Sequence, residues 1–152
     1  MNAAMDAAAR GLAVELVVRD GGTDFGDLAA AQGLSEHDGV KTLVVKISGG
    51  APVFVLIPGT RRLDWAKLRA LLAVNKASPV TPEAAFELTG YQPGTITPLG
   101  SRTTLPVYAD ERIGGRVGMG SGALDTLLFT DADALLTSFG AVVGDVTSAV
   151  TR

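Results

Sequence analysis

The sequence predicts a single domain of the α+β class, with helices packed around a β-sheet. Three observations carry that expectation. The chain has 152 residues, the size of one domain and enough to bury about two-thirds of its unfolded surface. Helix-like and strand-like stretches alternate irregularly, without the even βα rhythm of a doubly wound sheet. One candidate strand, residues 53–57, is continuously apolar, which calls for cover on both of its faces and hence for helices over the sheet.

The elements follow in chain order. Residues 2–10 are alanine-rich and read as a short helix of high intrinsic propensity. Residues 12–19, rich in Val and Leu, read as a strand ended by Asp20-Gly21-Gly22. Residues 24–32 form a second helix that packs Phe25, Leu28 and Ala29 and stops at Gly33. The clearest strand is 40–47; Ser48-Gly49-Gly50 turns it into a hairpin with 52–57, which Pro58-Gly59 closes. Asp64 caps a helix through Leu72, with Trp65, Leu68, Leu71 and Leu72 spaced for the core. Thr81-Pro82 opens the next, a cap followed by a proline at the first helical position, and Gly90 stops it after Thr89. Strands at 105–110 and 116–119 are weaker, and one at 126–130 is firmer. Asp131 caps a last helix over 132–139, ended by Gly140, and the tail 141–152 adds an extended piece.

Composition excludes several classes. Apolar residues at 47% and charged residues at 19% argue against disorder. Without cysteine there is no disulfide, thiolate nucleophile or thiolate metal site. The alanine-rich start lacks a basic n-region, and no apolar run approaches the ~20 residues that span a bilayer. A soluble, cytoplasmic protein with no membrane partner is expected. The net charge of −3 conceals a segregation: residues 1–40 sum to −5, residues 41–80 to +6 and residues 81–152 to −4. A basic face could meet a few phosphates, or the helix and loops there are simply rich in Lys and Arg.

Candidate chemistry is sparse. A single histidine, His37, in an acidic loop gives neither a metal site nor a Ser-His-Asp triad, and reads as a solvated side chain. The stretch 89–100 holds three glycines and two prolines after a helix end. Pro93-Gly94 suits a type II turn, in which Gly94 supplies the positive φ and leaves its amide open to a ligand; the alternative is a plain connection. Gly118-Met119-Gly120-Ser121-Gly122 resembles a nucleotide loop only faintly, since a strand rather than a helix follows it. Lys41 shares a strand face with Leu43, Val45 and Ile47, so it either snorkels to solvent or points into a cleft at the end of the sheet.

Along the chain stand Val40-Lys41-Thr42-Leu43-Val44-Val45, Pro58-Gly59, Thr89-Gly90-Tyr91 with Pro93-Gly94, Thr97-Pro98 with Gly100, Pro106-Val107-Tyr108 with Asp110-Glu111, and Gly120-Ser121-Gly122. In that order they resemble the YbaK-like domains. These are aminoacyl-tRNA deacylases related to the editing domain inserted in bacterial prolyl-tRNA synthetases. The resemblance runs from about Leu12 to Phe139 and rests on the ordered set, not on any one piece.

The resemblance implies a single α+β domain with a twisted mixed β-sheet surrounded by helices. It implies prolyl-tRNA-type editing in trans: hydrolysis of the ester between a wrong amino acid and the 3′-terminal ribose of a tRNA. Lys41 matches the family's key lysine and is the expected catalytic residue. Gly94, Thr97 and Pro98 match its Gly-x-x-x-Pro loop, and Ser121 and Gly122 its serine-glycine segment, as substrate-binding residues. It further implies a tRNA hydroxyl as general-base help, no metal or cofactor, and as partners the tRNA 3′ end and an aminoacyl-tRNA synthetase. Two stretches depart from relatives. The first strand, Val14-Glu15-Leu16-Val17-Val18, lacks the aromatic or histidine of cysteinyl-tRNA specialists. After the serine-glycine pair, where relatives often carry a polar or basic residue, this chain reads Ala123-Leu124-Asp125. The alternative function is a non-catalytic module of the same fold that binds an aminoacyl-adenosine end or a synthetase.

Overall fold

A computed structural model of the chain describes residues 1–20 and 23–150. The Gly21-Gly22 break and the last two residues of the tail lie outside the described residues.

Alternation within β3 (Val53–Pro58) organises the layers, because every residue of that strand is buried. Phe54 and Leu56 enter one apolar cluster, with Val44, Leu99, Val107, Leu128 and Leu135. Val53, Val55 and Ile57 enter a second, with Val45, Leu68 and Val146. A continuously apolar strand therefore does lie between two covered faces. Helices α1 (Ala3–Ala9), α4 (Pro82–Thr89) and α5 (Ala132–Phe139) contribute to the first cluster, and α3 (Trp65–Leu72) packs Leu68 into the second.

Around β3 the sheet is mixed. The other strands of its main path are β1 (Val14–Val18), β2 (Gly39–Ile47), β6 (Val107–Asp110), β7 (Arg116–Gly120), β8 (Thr126–Asp131) and β9 (Val142–Gly144). Their order is β1-β8-β7-β2-β3-β6-β9, with β5 (Ala77–Pro79) paired to β2 beside this path. The pairs β2/β7, β3/β6 and β6/β9 are parallel; β1/β8, β7/β8, β2/β3 and β2/β5 are antiparallel. A separate two-stranded sheet joins β4 (Arg61–Leu63) to β10 (Thr147–Ala149). This is the α+β architecture with a mixed sheet that the sequence predicts.

The caps form where the side chains allow them. Asp64, Thr81 and Asp131 accept from Lys67 N, Ala84 N and Ala134 N at 3.1, 3.1 and 3.0 Å. Helix α2 covers Phe25–Ala31. Two expectations shift: the weak strand begins at Val107 rather than Leu105, and the tail forms two strands, β9 and β10. The three-residue strands β4 and β5 were not expected, since three residues are too few to display a period of two.

Candidate functional site

The site originates in an incompletely covered strand. One edge of β2 pairs with β3 from Val40 to Val45. Its other edge meets β7 only at Gly39 and Val40, and β5 only from Val45 to Ile47. Between them Val44 O accepts from Val80 N at 3.2 Å, while residues 41–43 have no strand partner on that edge. The two neighbouring strands splay apart and leave a hollow at Lys41, Thr42 and Leu43.

Loop 91–100 forms its far wall. Thr95 N donates to Gln92 O at 3.1 Å and Gly94 has φ +84°, the type II turn expected of Pro93-Gly94. The loop lies so close to β7 that a Cβ on Gly120 would sit 2.7 Å from Thr95 O. Behind the loop, Gly122 N donates to Thr95 O at 2.8 Å, and the Tyr91 hydroxyl donates to Leu99 O at 2.7 Å. Burial, and secondarily the charge of Asp6, push the Tyr91 hydroxyl above its ordinary pKa. Asp6 also accepts from Gly100 N at 2.9 Å, tying α1 to the loop's end.

Two hollows share Val40, Lys41, Gly94 and Gly120. The larger, a cleft of about 340 Å³, is also lined by Arg19, Asp24, Phe25, Glu36 and Thr60. The second, of about 330 Å³, reaches Thr42, Leu43 and Ile96. Both fall in the size range of small-ligand sites. Lys41 is exposed, and none of the ion pairs among the described residues includes it. Thr42 Oγ1 is the one buried side-chain polar atom without a hydrogen-bond partner among the described residues. Such an orphan costs roughly 1–3 kcal/mol unless a ligand or water satisfies it.

Of the residues picked out from the sequence, Lys41 and Gly94 meet in these hollows. A Cβ at Gly94 would find no atom within 4 Å, so the turn opens into the cleft. Thr97, Pro98, Ser121 and Gly122 stand behind. Thr97 is fully buried and its Oγ1 accepts from Leu99 N at 3.2 Å. Pro98 lines a small cavity beside Asp6 and Arg10. The Ser121 hydroxyl is engaged with Thr126 Oγ1 at 2.6 Å and Thr126 O at 2.9 Å. Gly122, at φ +86°, leaves no room for a Cβ, which would lie 2.5 Å from the Tyr91 ring. These four shape the wall rather than line the cleft. No group of three His, Cys, Asp or Glu able to hold a metal occurs among the described residues.

Thr42 escaped sequence reasoning, although its signal was present: a hydroxyl on the strand face that also carries the core residue Val44. Arg19, Phe25 and Glu36 reach the cleft from separate elements and left no local pattern to read.

The chain is similar to known proteins in sequence and in fold. The aminoacyl-tRNA editing domain family matches residues 20–147. The proline–tRNA ligase of Nitratidesulfovibrio vulgaris (strain DP4) is 34% identical over 104 residues, 67% of this chain and 18% of the ligase. That of Pediococcus pentosaceus is 31% identical over 109 residues, covering 70% and 19%. The chain thus spans less than a fifth of the ligases it matches. The crystal structure of a proposed trans-editing enzyme for prolyl tRNA synthetase superposes with a TM-score of 0.84 at 30% identity, covering 95% of this chain and 94% of that one. With its fold and most of its length matched, this chain belongs to the aminoacyl-tRNA editing domain family.

Proposed function

We propose that this protein is a trans-acting deacylase that hydrolyses the ester of a mischarged tRNA, in editing of the prolyl-tRNA type. The observation that carries the reading is Lys41, a cation without an acidic partner among the described residues, set beside the Gly94 turn where β2 loses its neighbours. An aminoacyl ester needs little activation once it is held and polarised. The Gly94 amide receives the ester carbonyl oxygen or the amino-acid backbone, and the Lys41 ammonium pairs with the terminal phosphate or the developing oxyanion. Thr42 Oγ1 supplies a further polar contact to the aminoacyl group or the attacking water.

Water adds to the ester carbon and the bond to the ribose oxygen breaks. The water's proton passes by way of a ribose hydroxyl to the departing oxygen, releasing a free amino acid and a tRNA with a free 3′ end. A protein nucleophile is not required, and the buried Ser121 hydroxyl, bonded to Thr126, is ill placed to be one. Thr97, Pro98, Ser121 and Gly122 keep the Gly94 loop in shape for substrate. The reaction uses no metal or cofactor. The partners in this reading are the acceptor end of tRNA and, as the similarity to the proposed trans-editing enzyme suggests, a synthetase, with the cytoplasm as the compartment where it works. No helix among the described residues is long and apolar enough to cross a membrane.

The test is deacylation of a panel of mischarged tRNAs by the folded protein. Hydrolysis of at least one member well above the uncatalysed rate is expected. No acceleration on any member, with binding of an aminoacyl-adenosine end retained, would replace the enzyme by a binding module of the same fold.

A further inference from the structure

A second groove, of about 350 Å³, adjoins the cleft and shares Thr60 with it. Its walls are His37, Pro58, Thr60, Arg61 and Arg112, and its other side is formed by Ala149 and Val150, beyond the residues that the family match covers. Three side chains able to carry positive charge meet there, and no acid lines the groove among the described residues.

The arginines are held in place. Asp110 is fully buried, and its Oδ1 accepts from Val146 N at 3.1 Å, Thr147 Oγ1 at 3.0 Å and Arg112 Nη1 at 3.1 Å. Thr147 in turn accepts from Arg61 Nε at 2.7 Å through its hydroxyl and from Arg61 Nη2 at 3.4 Å through its carbonyl. Arg112 shares its charge with Asp110 and Asp145, whereas Arg61 makes no ion pair among the described residues. Its guanidinium is oriented by neutral oxygens and keeps its full charge for a ligand. On the other wall, His37 Nδ1 lies 2.9 Å from Thr60 Oγ1.

We infer that this groove binds the phosphodiester of the single-stranded tRNA 3′ end, just before the terminal nucleotide held in the cleft; the inference rests on the deacylase reading for which ligand the cleft holds. A strand leaving the cleft past Asp24 and Glu36 meets like charge, whereas one leaving past Thr60 meets Arg61.

The experiment measures fluorescence anisotropy of an uncharged acceptor minihelix with a single-stranded 3′ end, and of the same duplex made blunt. Arg61→Gln should weaken binding of the overhanging minihelix about fivefold or more and lower its salt slope by roughly 0.7, one single-strand phosphate contact. The blunt duplex should not respond. Lys76→Gln removes the same charge from the far end of β2, beside Lys46, and should change affinity less than twofold. His37→Asp, at an exposed residue clear of the Thr147 contacts, should weaken binding as Arg61→Gln does and decides the matter should the latter variant melt early.

Unchanged affinity, equal losses for Arg61→Gln and Lys76→Gln, or an equal loss on the blunt duplex would overturn the groove. Binding of an uncharged minihelix requires no hydrolysis. An inactive wild type with Arg61-dependent binding would therefore overturn the deacylase and leave the groove standing, and an active enzyme with Arg61-independent binding would do the reverse.

Discussion

Removing the Lys41 charge separates a cleft lysine from one that only snorkels. Lys41 is exposed and unpaired among the described residues, and its cross-strand neighbour is Ile57. Lys41→Met keeps most of the apolar stem and deletes the ammonium, so stability should change by less than about 1 kcal/mol, the scale of an exposed charge. Catalysis should respond differently. Loss of one preorganised electrostatic group costs on the order of 2–4 kcal/mol of transition-state stabilisation, roughly a 30- to 1,000-fold drop in rate. Because the ammonium is open to solvent, the loss should lie toward the lower end and shrink as salt rises. Lys41→Arg should recover only part of the rate, since a planar fork does not reproduce a compact ammonium. The assay is single-turnover deacylation of a mischarged tRNA by wild type and both variants, with melting curves alongside. Equal rates for three equally folded proteins would refute the role of Lys41, and with it the site.

Gly94→Val should melt within a few kcal/mol of wild type, because its Cβ meets no atom within 4 Å and the cost is that of φ +84° alone, about 1–3 kcal/mol. Deacylation should nonetheless be lost, since the new side chain projects where the turn opens to the cleft; full activity would reduce the loop to a connector. Thr42→Val removes an unpartnered buried hydroxyl at nearly constant shape, so stability should hold or rise by about 1 kcal/mol while the single-turnover rate falls, and unchanged activity would exclude the hydroxyl from substrate contact. The hydrogen bond from Arg112, followed by that from Lys67, holds the Asp145 carboxyl below its ordinary range. Its contribution is therefore present above the unfolded carboxylate pKa, about 3.9, and is lost as pH falls through the lower folded value; urea titrations should show Asp145→Asn less stable than wild type at pH 7, with the gap closing in acid.

Local chemistry written in consecutive residues was legible without a structure. The caps at Asp64, Thr81 and Asp131, the turn at Pro93-Gly94 and the two-sided burial of residues 53–57 each depend on side chains a few positions apart. The ordered motifs likewise led to the family, and strand parity put Lys41 on the face of Val45 and Ile47. What period and propensity do not carry is which strand lies beside which. That β7 covers β2 only at Gly39 and Val40, while β5 takes over at Val45, is a matter of long-range pairing, and it alone turns Thr42 from a core position into an unsatisfied one facing a hollow.

The same distinction explains the serine-glycine segment. Its glycines look like a ligand loop in one dimension, but in three they admit the close approach of loop 91–100, with Thr95 O against Gly120 and the Tyr91 ring against Gly122. The sequence by itself determined the helices, the longer strands, the two-faced core and the family. Only the tertiary structure decided which of the marked residues share a cleft and that Arg61, Arg112 and His37 flank it, because these contacts join segments whose separation along the chain leaves no periodic trace.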